Sequence, residues 1–377
     1  MSNKKKIVFL TGTRADFGKL KSLIKITQNN INFDVQIFVT GMHLDETYGS
    51  TVNEIYKSGF KNIYTYKNQD STEFMDRTLA KTITGFSNFI SEQKPDLIVV
   101  HGDRVEALAG AIVGSLNNIL VSHIEGGEIS GTIDELIRHS VSKLSHLHLV
   151  SNTEAKKRLI QMGELESSIY VIGSPDLDLM NPNSLPSLKK VKGYYEIPFI
   201  DYAIVMFHPV TTDYKNIKKN AKNFVDVLLK SEENFVVIYP NNDLGTVEIL
   251  KEYKRLENNS RIKIYPSLRF EYFLRLLKEA KFIIGNSSAG VREAPYYKVP
   301  TIDVGSRQNN RSQANSIINV SYSSDEILLA IKQLNFKKQK TIDITEFGSG
   351  KSDKLFLKLL ESNSIWKVNC QKQFQDL

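Results

Sequence analysis

The sequence predicts an α/β protein built from two βαβ domains in tandem. Short apolar runs alternate with longer amphipathic segments, the alternation stops in a proline-rich window, and then it starts again. The chain has 377 residues, enough for two domains at roughly 150 residues each. Open parallel sheets bind ligands beyond the carboxyl ends of their strands. We therefore expect the functional residues in the loops that follow the strands.

The first half contains six apolar runs that predict strands. They are residues 7–10, 35–40, 97–101, 119–123, 146–150 and 170–173. Several are rich in Val and Ile without polar alternation, which is typical of strands buried on both faces. Within 105–116, apolar residues recur at helical spacing and predict an intervening helix. Strand–helix–strand alternation indicates a parallel sheet.

The second half follows a connection marked by four prolines in residues 175–198. Five further apolar runs predict the strands of a second sheet, at 203–207, 235–239, 261–265, 282–284 and 301–304. The apolar spacing of 270–280 predicts a helix between two of them. Two such domains in tandem place a cleft between them.

Composition excludes several classes of protein. A net charge of +7 is mild, and the scattered lysines with no basic-aromatic motif argue against nucleic-acid binding. No apolar run approaches the ~18 residues of a membrane helix, and the run at 7–10 is too short for a signal peptide. A single Cys370 excludes internal disulfides and multi-cysteine metal sites. His146 and His148 lack a third ligand nearby, so we expect no metal site. The absence of a membrane helix, a signal peptide and disulfides predicts a soluble, cytoplasmic protein.

The loop after the first strand is a candidate anion site. The strand ends at Leu10 and a helix is expected to begin near Asp16, where free N–H groups of the helix N-terminus would face an anion. Arg14 and Lys19 add positive charge. The glycine spacing fits neither a Walker loop nor a dinucleotide fingerprint. The alternative is an ordinary turn with surface charges.

Two further loops of the first half carry acidic residues directly after apolar strands. Asp103 and Arg104 follow 97–101, and Asp103 alternatively caps the next helix. Glu125 and Glu128 flank a glycine pair after 119–123, and the alternative there is a solvated acidic loop.

Asp134 and Arg138 are four residues apart and share one face of a predicted helix. Their alternative is an exposed ion pair of little energetic weight.

The second half offers a histidine and a glycine-rich loop. His208 follows a strand, where it would donate to a phosphate or act as an acid or base. A structural histidine is the alternative. The segment 285–295 joins a strand to a helix through small hydroxyl residues and glycines, which is typical of a phosphate cradle. Glu293 begins that helix, where a carboxylate would bind ribose hydroxyls; a plain N-cap is the alternative.

Eight motifs together resemble one enzyme family over nearly the whole chain. They are residues 11–19, 40–43, 101–104, 124–128, 207–209, 239–243, 285–288 and 305–308. The chain resembles the hydrolysing UDP-N-acetylglucosamine 2-epimerases of sialic-acid biosynthesis. A close cousin, the GDP-sugar 2-epimerase of legionaminic-acid biosynthesis, shares most of these motifs.

The resemblance implies a GT-B-like fold, with two Rossmann-like parallel-sheet domains and the active site in the inter-domain cleft. Residues 1–180 would form the first domain, joined by a crossover segment at 354–377, and residues 181–353 the second. The catalytic residues implied are Asp103, Glu125, Asp134, Arg138 and His208. The residues implied for nucleotide-sugar binding are Arg14, Lys19, Arg104, Asn242, Arg269, Ser287, Ser288, Gly290, Glu293 and Arg307. The family needs no cofactor or metal and implies a homodimer.

The resemblance also implies the reaction. UDP-N-acetylglucosamine and water would become N-acetylmannosamine and UDP, by elimination to 2-acetamidoglucal and then hydration, so the enzyme is a hydrolase of O-glycosyl compounds. We expect UDP rather than GDP from the likeness around 290–295 and 299–303. The alternatives are a hydrolysing GDP-N,N'-diacetylbacillosamine 2-epimerase and a GT-B glycosyltransferase. The product would feed sialic-acid and surface-polysaccharide synthesis.

Overall fold

The chain divides into two compact units. The computed structural model describes residues 4–69, 74–130, 133–308, 315–334, 347–373 and 375. The first unit comprises Met1–Glu128, Asp134–Asn181 and Thr345–Leu377, and the second comprises Ile129–Ile133 and Pro182–Ile344. The first unit is therefore assembled from three separate stretches of chain.

The first unit is a seven-stranded sheet with helices between its strands. Its elements are β1 (Lys5–Thr11), α1 (Arg14–Gln28), β2 (Phe33–Val39), α2 (Val52–Lys57), β3 (Ile63–Thr65), α3 (Met75–Gln93), β4 (Leu97–His101), α4 (Val105–Leu116), β5 (Leu120–Ile124), α5 (Ile133–Leu144), β6 (Leu147–Val150), α6 (Thr153–Gln161) and β7 (Ile169–Val171). The strand order is β3-β2-β1-β4-β5-β6-β7 and every pairing is parallel. All carboxyl ends therefore lie at one edge of the sheet.

The second unit repeats this arrangement with six strands. Its elements are α7 (Leu188–Tyr194), β8 (Ala203–Met206), α8 (Ile217–Lys230), β9 (Phe235–Ile238), α9 (Thr246–Tyr253), β10 (Ile262–Tyr265), α10 (Phe270–Glu279), β11 (Ile283–Gly285), α11 (Glu293–Tyr296), β12 (Thr301–Val304), β13 (Ile317–Val320) and α12 (Ser324–Gln333). The strand order is β10-β9-β8-β11-β12-β13, again all parallel. The predicted class, two parallel α/β sheets, is confirmed.

The core of the first unit includes a helix from the far end of the chain. Ile7 and Phe9 of β1 are fully buried, and Ile24 of α1 packs in the same cluster. Helix α13 (Ser352–Glu361) adds Phe356, whose ring meets that of Phe9 edge-on at 6.0 Å. The predicted amphipathic segment near residue 354 is thus a helix of the first unit.

Two strands and one helix boundary differ from the sequence predictions. The edge strands β3 and β13 were not predicted, because their apolar runs are short: β3 has three residues, and Asn319 interrupts the run of β13. Helix α1 begins at Arg14, two residues before the predicted start. Thr13 is its N-cap and Asp16 closes a capping box, so Asp16 marks the third helical position. No helix in the described part of the chain is long and apolar enough to cross a membrane.

Candidate active site

The loop between β1 and α1 is organised by the buried carboxylate of Asp16. It accepts hydrogen bonds from the amides of Gly12 (2.9 Å) and Thr13 (3.2 Å), and the hydroxyl of Thr11 also donates to it. Burial raises the pKa of Asp16. These two amides therefore already have an acceptor within the loop. The anion site expected at the N-terminus of α1 therefore does not use these two amides, and it stays a prediction.

A second buried carboxylate, that of Glu106 on α4, explains why residue 12 of this loop is glycine. A Cβ on Gly12 would lie 2.8 Å from its carboxyl carbon, and one on Gly41 would lie 2.6 Å from its Oε1. Glu106 accepts a hydrogen bond from Nε of Arg104 at 3.3 Å. The two glycines thus make room for the acid that holds Arg104, a residue implied for substrate binding.

Asp103 pairs with Arg138 across the strand ends. A guanidinium nitrogen of Arg138 donates to Oδ2 of Asp103, and another donates to the carbonyl of Glu128 at 3.3 Å. Arg138 is only 2% exposed, so the alternative of an exposed helical ion pair is wrong. Asp103 does not cap α4, whose N-cap is Arg104 without a side-chain bond. Asp134 lies half-buried one turn before Arg138 on α5.

Glu125 contacts three side chains of the first unit. Its Oε2 is 3.2 Å from Nζ of Lys19 and 3.1 Å from Nε2 of His101, and the hydroxyl of Ser174 donates to its Oε1. The Lys19 ammonium also lies 3.4 Å from Asp176. Glu125 is 3% exposed, so a solvated acidic loop is excluded. Lys19, implied for diphosphate binding, contacts two carboxylates here.

Backbone geometry and a buried histidine hold Glu125 and Asp103 in place. Glu125 has a φ of 63°, a left-handed conformation that costs energy in a residue other than glycine and is common at functional sites. His123 Nε2 donates to the carbonyl of Gly102 at 2.8 Å, and the Ser142 hydroxyl donates to its Nδ1 at 3.0 Å. Burial lowers the pKa of His123 to about 3, so its ring is neutral. It ties β5 to the loop before Asp103 and to α5.

In the second unit, Asn286 fixes the position of His208. The Asn286 side chain accepts from the His208 amide at 2.6 Å and donates to the His208 carbonyl at 2.9 Å. The Asn241 amide donates to His208 Nδ1 at 3.0 Å. Because Nδ1 accepts this bond, the neutral ring carries its proton on Nε2. His208 is therefore set to donate from Nε2.

The glycine-rich loop after β11 is tightly packed. A Cβ on Gly285, whose φ is 136°, would lie 1.9 Å from the carbonyl oxygen of Met206. One on Gly290 would lie 2.7 Å from Thr301 Cγ2. Ser287 accepts from the amide of Ala289, as an N-cap does for the short 3₁₀ turn Ser288–Gly290. The N-cap that was the alternative interpretation is thus present at Ser287, and the phosphate cradle stays a prediction.

The remaining residues implied for nucleotide binding also follow strands of the second unit. Glu293 is the first residue of α11 and is 4% exposed. Arg307 follows β12 and donates to the carbonyl of Asn286 at 3.3 Å. Asn242 lies in the loop after β9. The Arg269 guanidinium lies 5.0 Å from the ring centre of Tyr194, in a cation–π contact.

Several residues of the site were not among the site residues predicted from the sequence. His101, Ser174 and Asp176 contact Glu125 or Lys19. A signal for two of them existed, because Ser174 and Asp176 directly follow the predicted strand 170–173, as the predicted acids follow theirs. Asn286 lay within a motif, but its bonds to a residue 78 positions away cannot be read from spacing.

His146, directly before β6, and His148 within it both bond to other parts of the fold. His148 Nε2 bonds to Glu164 at 2.9 Å, and His146 Nε2 donates to the carbonyl of Cys370 at 3.0 Å. Glu164 also pairs with Lys143 (2.8 Å) and with Lys372 (2.5 Å). No group of three or more His, Cys, Asp or Glu side chains fit to hold a metal was found in the described ranges.

Comparison with known proteins decides the family. A family model described as UDP-N-acetylglucosamine 2-epimerase matches residues 25–361. The chain belongs to the UDP-N-acetylglucosamine 2-epimerase family. Among the members of this family, it is similar to a protein of Neisseria meningitidis named UDP-N-acetylglucosamine 2-epimerase, at 48% identity over 99% of both chains.

More distant members of the epimerase family agree in sequence and fold. A Legionella pneumophila protein named UDP-N,N'-diacetylbacillosamine 2-epimerase (hydrolyzing) is 34% identical, over 95% of this chain and 96% of its own. The Methanocaldococcus jannaschii UDP-GlcNAc 2-epimerase, solved in complex with UDP-GlcNAc and UDP, superposes with a TM-score of 0.81 at 23% identity, over 94% of this chain and 99% of its own. This last likeness shows the shared epimerase fold.

Proposed function

We propose that this chain is a hydrolysing UDP-N-acetylglucosamine 2-epimerase. It converts UDP-N-acetylglucosamine and water into N-acetylmannosamine and UDP. The Neisseria relative with that substrate in its name, aligned over 99% of both chains, supports the choice of substrate. The relatives named as hydrolysing, from Legionella and Campylobacter, are each 34% identical and support the choice of reaction.

One observation carries the proposal: two carboxylates follow adjacent strands, each held by cationic or hydrogen-bonding partners. Asp103 pairs with Arg138, and Glu125 contacts Lys19, His101 and Ser174. Inversion at carbon 2 needs one group to remove a proton and another to return a proton to the opposite face. A pair of positioned acids fits that requirement.

The first step is an elimination. A carboxylate takes the proton from carbon 2, the C2–H electron pair forms the C1–C2 double bond, and the C1–O bond breaks with its electrons leaving on UDP. Positive groups and fixed hydrogen-bond donors stabilise the charge that grows on the departing diphosphate. The product of this step is 2-acetamidoglucal.

The second step is a hydration. A protonated acid gives its proton to carbon 2 on the face opposite to the one deprotonated, and a water oxygen bonds to carbon 1 while losing a proton. N-acetylmannosamine results. Asp103, Glu125 and Asp134 are the acids that we assign to the two proton transfers, with Arg138 holding Asp103.

We assign nucleotide binding to the second unit. His208 donates from Nε2 to a phosphate oxygen, as its Nδ1 bond to the Asn241 amide favours. Ser287, Ser288 and Gly290 line the phosphate loop, and Glu293 binds the ribose hydroxyls. The nucleotide-binding group also includes Asn242, Arg269 and Arg307. In the first unit, the residues that we assign to binding the phosphate and the sugar are Arg14, Lys19 and Arg104.

The wider setting is also part of the proposal. An Escherichia coli relative named polysialic acid biosynthesis protein P7 is 33% identical, over 87% of this chain and 85% of its own, which supports a place at the start of sialic-acid synthesis. We propose a cytoplasmic homodimer that works without a cofactor. Light scattering of the purified protein measures the oligomeric state.

A product assay tests the reaction. The purified protein is incubated with UDP-N-acetylglucosamine in heavy water without any acceptor, and products are separated and identified by NMR. We expect free N-acetylmannosamine with deuterium at carbon 2, together with UDP. Recovery of UDP-N-acetylmannosamine instead would mean epimerisation without hydrolysis, and untouched substrate would favour a glycosyltransferase.

The second candidate substrate is tested beside the first. Two relatives at 34% identity are named for UDP- or GDP-linked N,N'-diacetylbacillosamine, which is the observation that favours it. Parallel reactions therefore contain each of these diacetamido sugars. Turnover of one of them with no turnover of UDP-N-acetylglucosamine would overturn the substrate that we propose.

A further inference from the structure

The contact between His101 and Glu125 joins the ends of two neighbouring strands. His101 is the last residue of β4, and it pairs in register with Ile124, directly before Glu125. Its Nε2 lies 3.1 Å from Oε2 of Glu125, with side-chain exposures of 10% for the histidine and 4% for the acid. The ring therefore lies between a nearly buried carboxylate and the edge of the sheet.

The other ring nitrogen of His101, Nδ1, has no hydrogen-bonding partner among the residues that the structure describes. The neighbouring histidine differs, because both nitrogens of His123 are bonded within the protein. Within the described part of the chain, His101 therefore contacts an acid through one nitrogen and no protein group through the other, which is the arrangement of a proton relay.

The proposed reaction creates a need for such a relay. Each turnover takes one proton from carbon 2 and supplies another from the opposite face, so an acid that serves either step ends with one proton too many or too few. Glu125 is 3% exposed and cannot exchange freely with bulk water. Its proton must therefore travel through a neighbouring group before the next turnover.

The other neighbours of Glu125 suit this task less well. Lys19 lies between the carboxylates of Glu125 and Asp176, at 3.2 and 3.4 Å, a position that favours its charged form. Ser174 donates to Oε1 and holds the carboxylate in place, but a hydroxyl does not store a proton near neutral pH. Imidazole gains and loses a proton in that range.

We propose that His101 carries a proton between Glu125 and solvent in every catalytic cycle. The ring begins as the Nδ1–H tautomer, with Nε2 as the acceptor. When Glu125 has gained a proton, its O–H bond breaks as an N–H bond forms at Nε2, and the Nδ1–H bond then releases its proton to water. Before the next turnover, Nε2–H gives its proton to water and Nδ1 takes one from water, which restores the first tautomer. When Glu125 has lost a proton, the same bonds form and break in reverse. His101 is a positioning residue that acts through Glu125, and this inference rests on the proposed function.

Chemical rescue tests the relay. His101→Gln keeps an amide nitrogen that can donate to Glu125 but cannot shuttle a proton. With UDP-N-acetylglucosamine at low buffer concentration, we expect kcat to fall on the order of 10²-fold, the scale of acid–base catalysis, with little change in KM. Added imidazole, at constant pH and ionic strength, should raise kcat of the variant in proportion to its concentration and leave the wild type unchanged.

Controls separate the relay from folding and from the proposed function. His139→Gln changes a histidine that is 31% exposed and paired with Glu135 on α5, and it should keep wild-type kcat at every imidazole concentration. Urea unfolding verifies that His101→Gln is folded, and His101→Asn takes its place if it is not. Wild-type kcat in the variant, or a loss that imidazole does not restore, overturns the relay. Failure of the wild type to release N-acetylmannosamine instead overturns the proposed function.

Discussion

The three acids assigned to proton transfer are tested by removing their basic groups one at a time. Replacing Asp103, Glu125 or Asp134 by the corresponding amide keeps size and most hydrogen bonds but removes the basic group. Asp103→Asn, Glu125→Gln and Asp134→Asn should each lower kcat on the order of 10²-fold or more. Rates are measured from UDP released from UDP-N-acetylglucosamine.

The matched control for these variants is another carboxylate of α5. Glu135 has a side-chain exposure of 34% and pairs with His139 on the surface of the helix. Glu135→Gln should therefore keep wild-type kcat. If all three site variants matched this control, the acids would serve only as ion pairs and the mechanism would be wrong.

Asn286 offers a residue-scale test in the second unit. In Asn286→Asp, the new carboxylate still accepts from the His208 amide, but it faces the His208 carbonyl with an oxygen in place of a donor. We expect His208 to shift and UDP to bind about tenfold more weakly, a loss of ~1.4 kcal/mol. Titration calorimetry with UDP measures this affinity.

Asn223→Asp is the comparison for that variant. Asn223 also donates to a backbone carbonyl, that of Tyr322 at 3.2 Å, but it belongs to α8 and to no part of the proposed site. Its substitution should leave the UDP affinity unchanged. If the two variants bound UDP with equal affinity, Asn286 would have no role in nucleotide binding.

At this scale, the sequence indicated where chemistry lies but not which atoms meet. Asp103, Glu125 and His208 were predicted because polar residues after buried apolar strands stand out. The cap of the next helix was the alternative role of Asp103, and its partner in the structure is Arg138, 35 residues away. Contacts at such separations depend on how the strands are ordered in the sheet, which local spacing does not contain.

Among the elements, α13 has the clearest energetic role. Phe356 is 1% exposed and packs against Phe9 of β1 within the core of the first unit. Phe356→Ala should lower the free energy of unfolding by about 3–5 kcal/mol, because it removes buried contacts and leaves a cavity. Urea denaturation followed by circular dichroism measures the change.

The neighbouring residue on the same helix supplies the control. Leu355 is 42% exposed, so Leu355→Ala should change the free energy of unfolding far less. A similar effect of the two substitutions would mean that α13 does not contribute to the core through Phe356.

Element prediction matched the structure best where a strand has a long apolar run. Strands such as β4 and β9 have four consecutive apolar residues, and their sequence runs match the structure closely. The edge strands β7 and β10 were also predicted, so edge position alone does not hide a strand. The two strands that were missed have short runs, because β3 has only three residues and Asn319 interrupts the apolar residues of β13.

For the whole molecule, one buried cluster ties stability to pH. Burial alone would raise the pKa of Glu164, but hydrogen bonds from His148, Lys143 and Lys372 outweigh it and lower the pKa to about 2. The native state thus favours the ionised form, relative to an ordinary value of 4.5. Its stabilising contribution is complete above pH 4.5 and is lost as the pH falls towards 2.

Replacing Glu164 should make the free energy of unfolding depend less on pH in the acidic range. Glu164→Gln is less stable at neutral pH, and its free energy of unfolding should fall less than that of the wild type between pH 4.5 and 2. Urea midpoints across this range give the comparison. Glu166→Gln, at a side chain 69% exposed, should follow the wild-type curve, and a matching curve for Glu164→Gln would contradict the assignment.

The three-part make-up of the first unit has a consequence for synthesis on the ribosome. Phe356, Leu360 and Ile365 belong to the core that Ile7 and Phe9 begin, yet the whole second unit is translated between them. At about 5–20 residues per second, the interval between Phe9 and Phe356 lasts roughly 17–70 s. The second unit is continuous apart from five residues and has its sheet complete first. The apolar side chains of the amino-terminal sheet that pack against Phe356 therefore lack this cover until α13 has been translated.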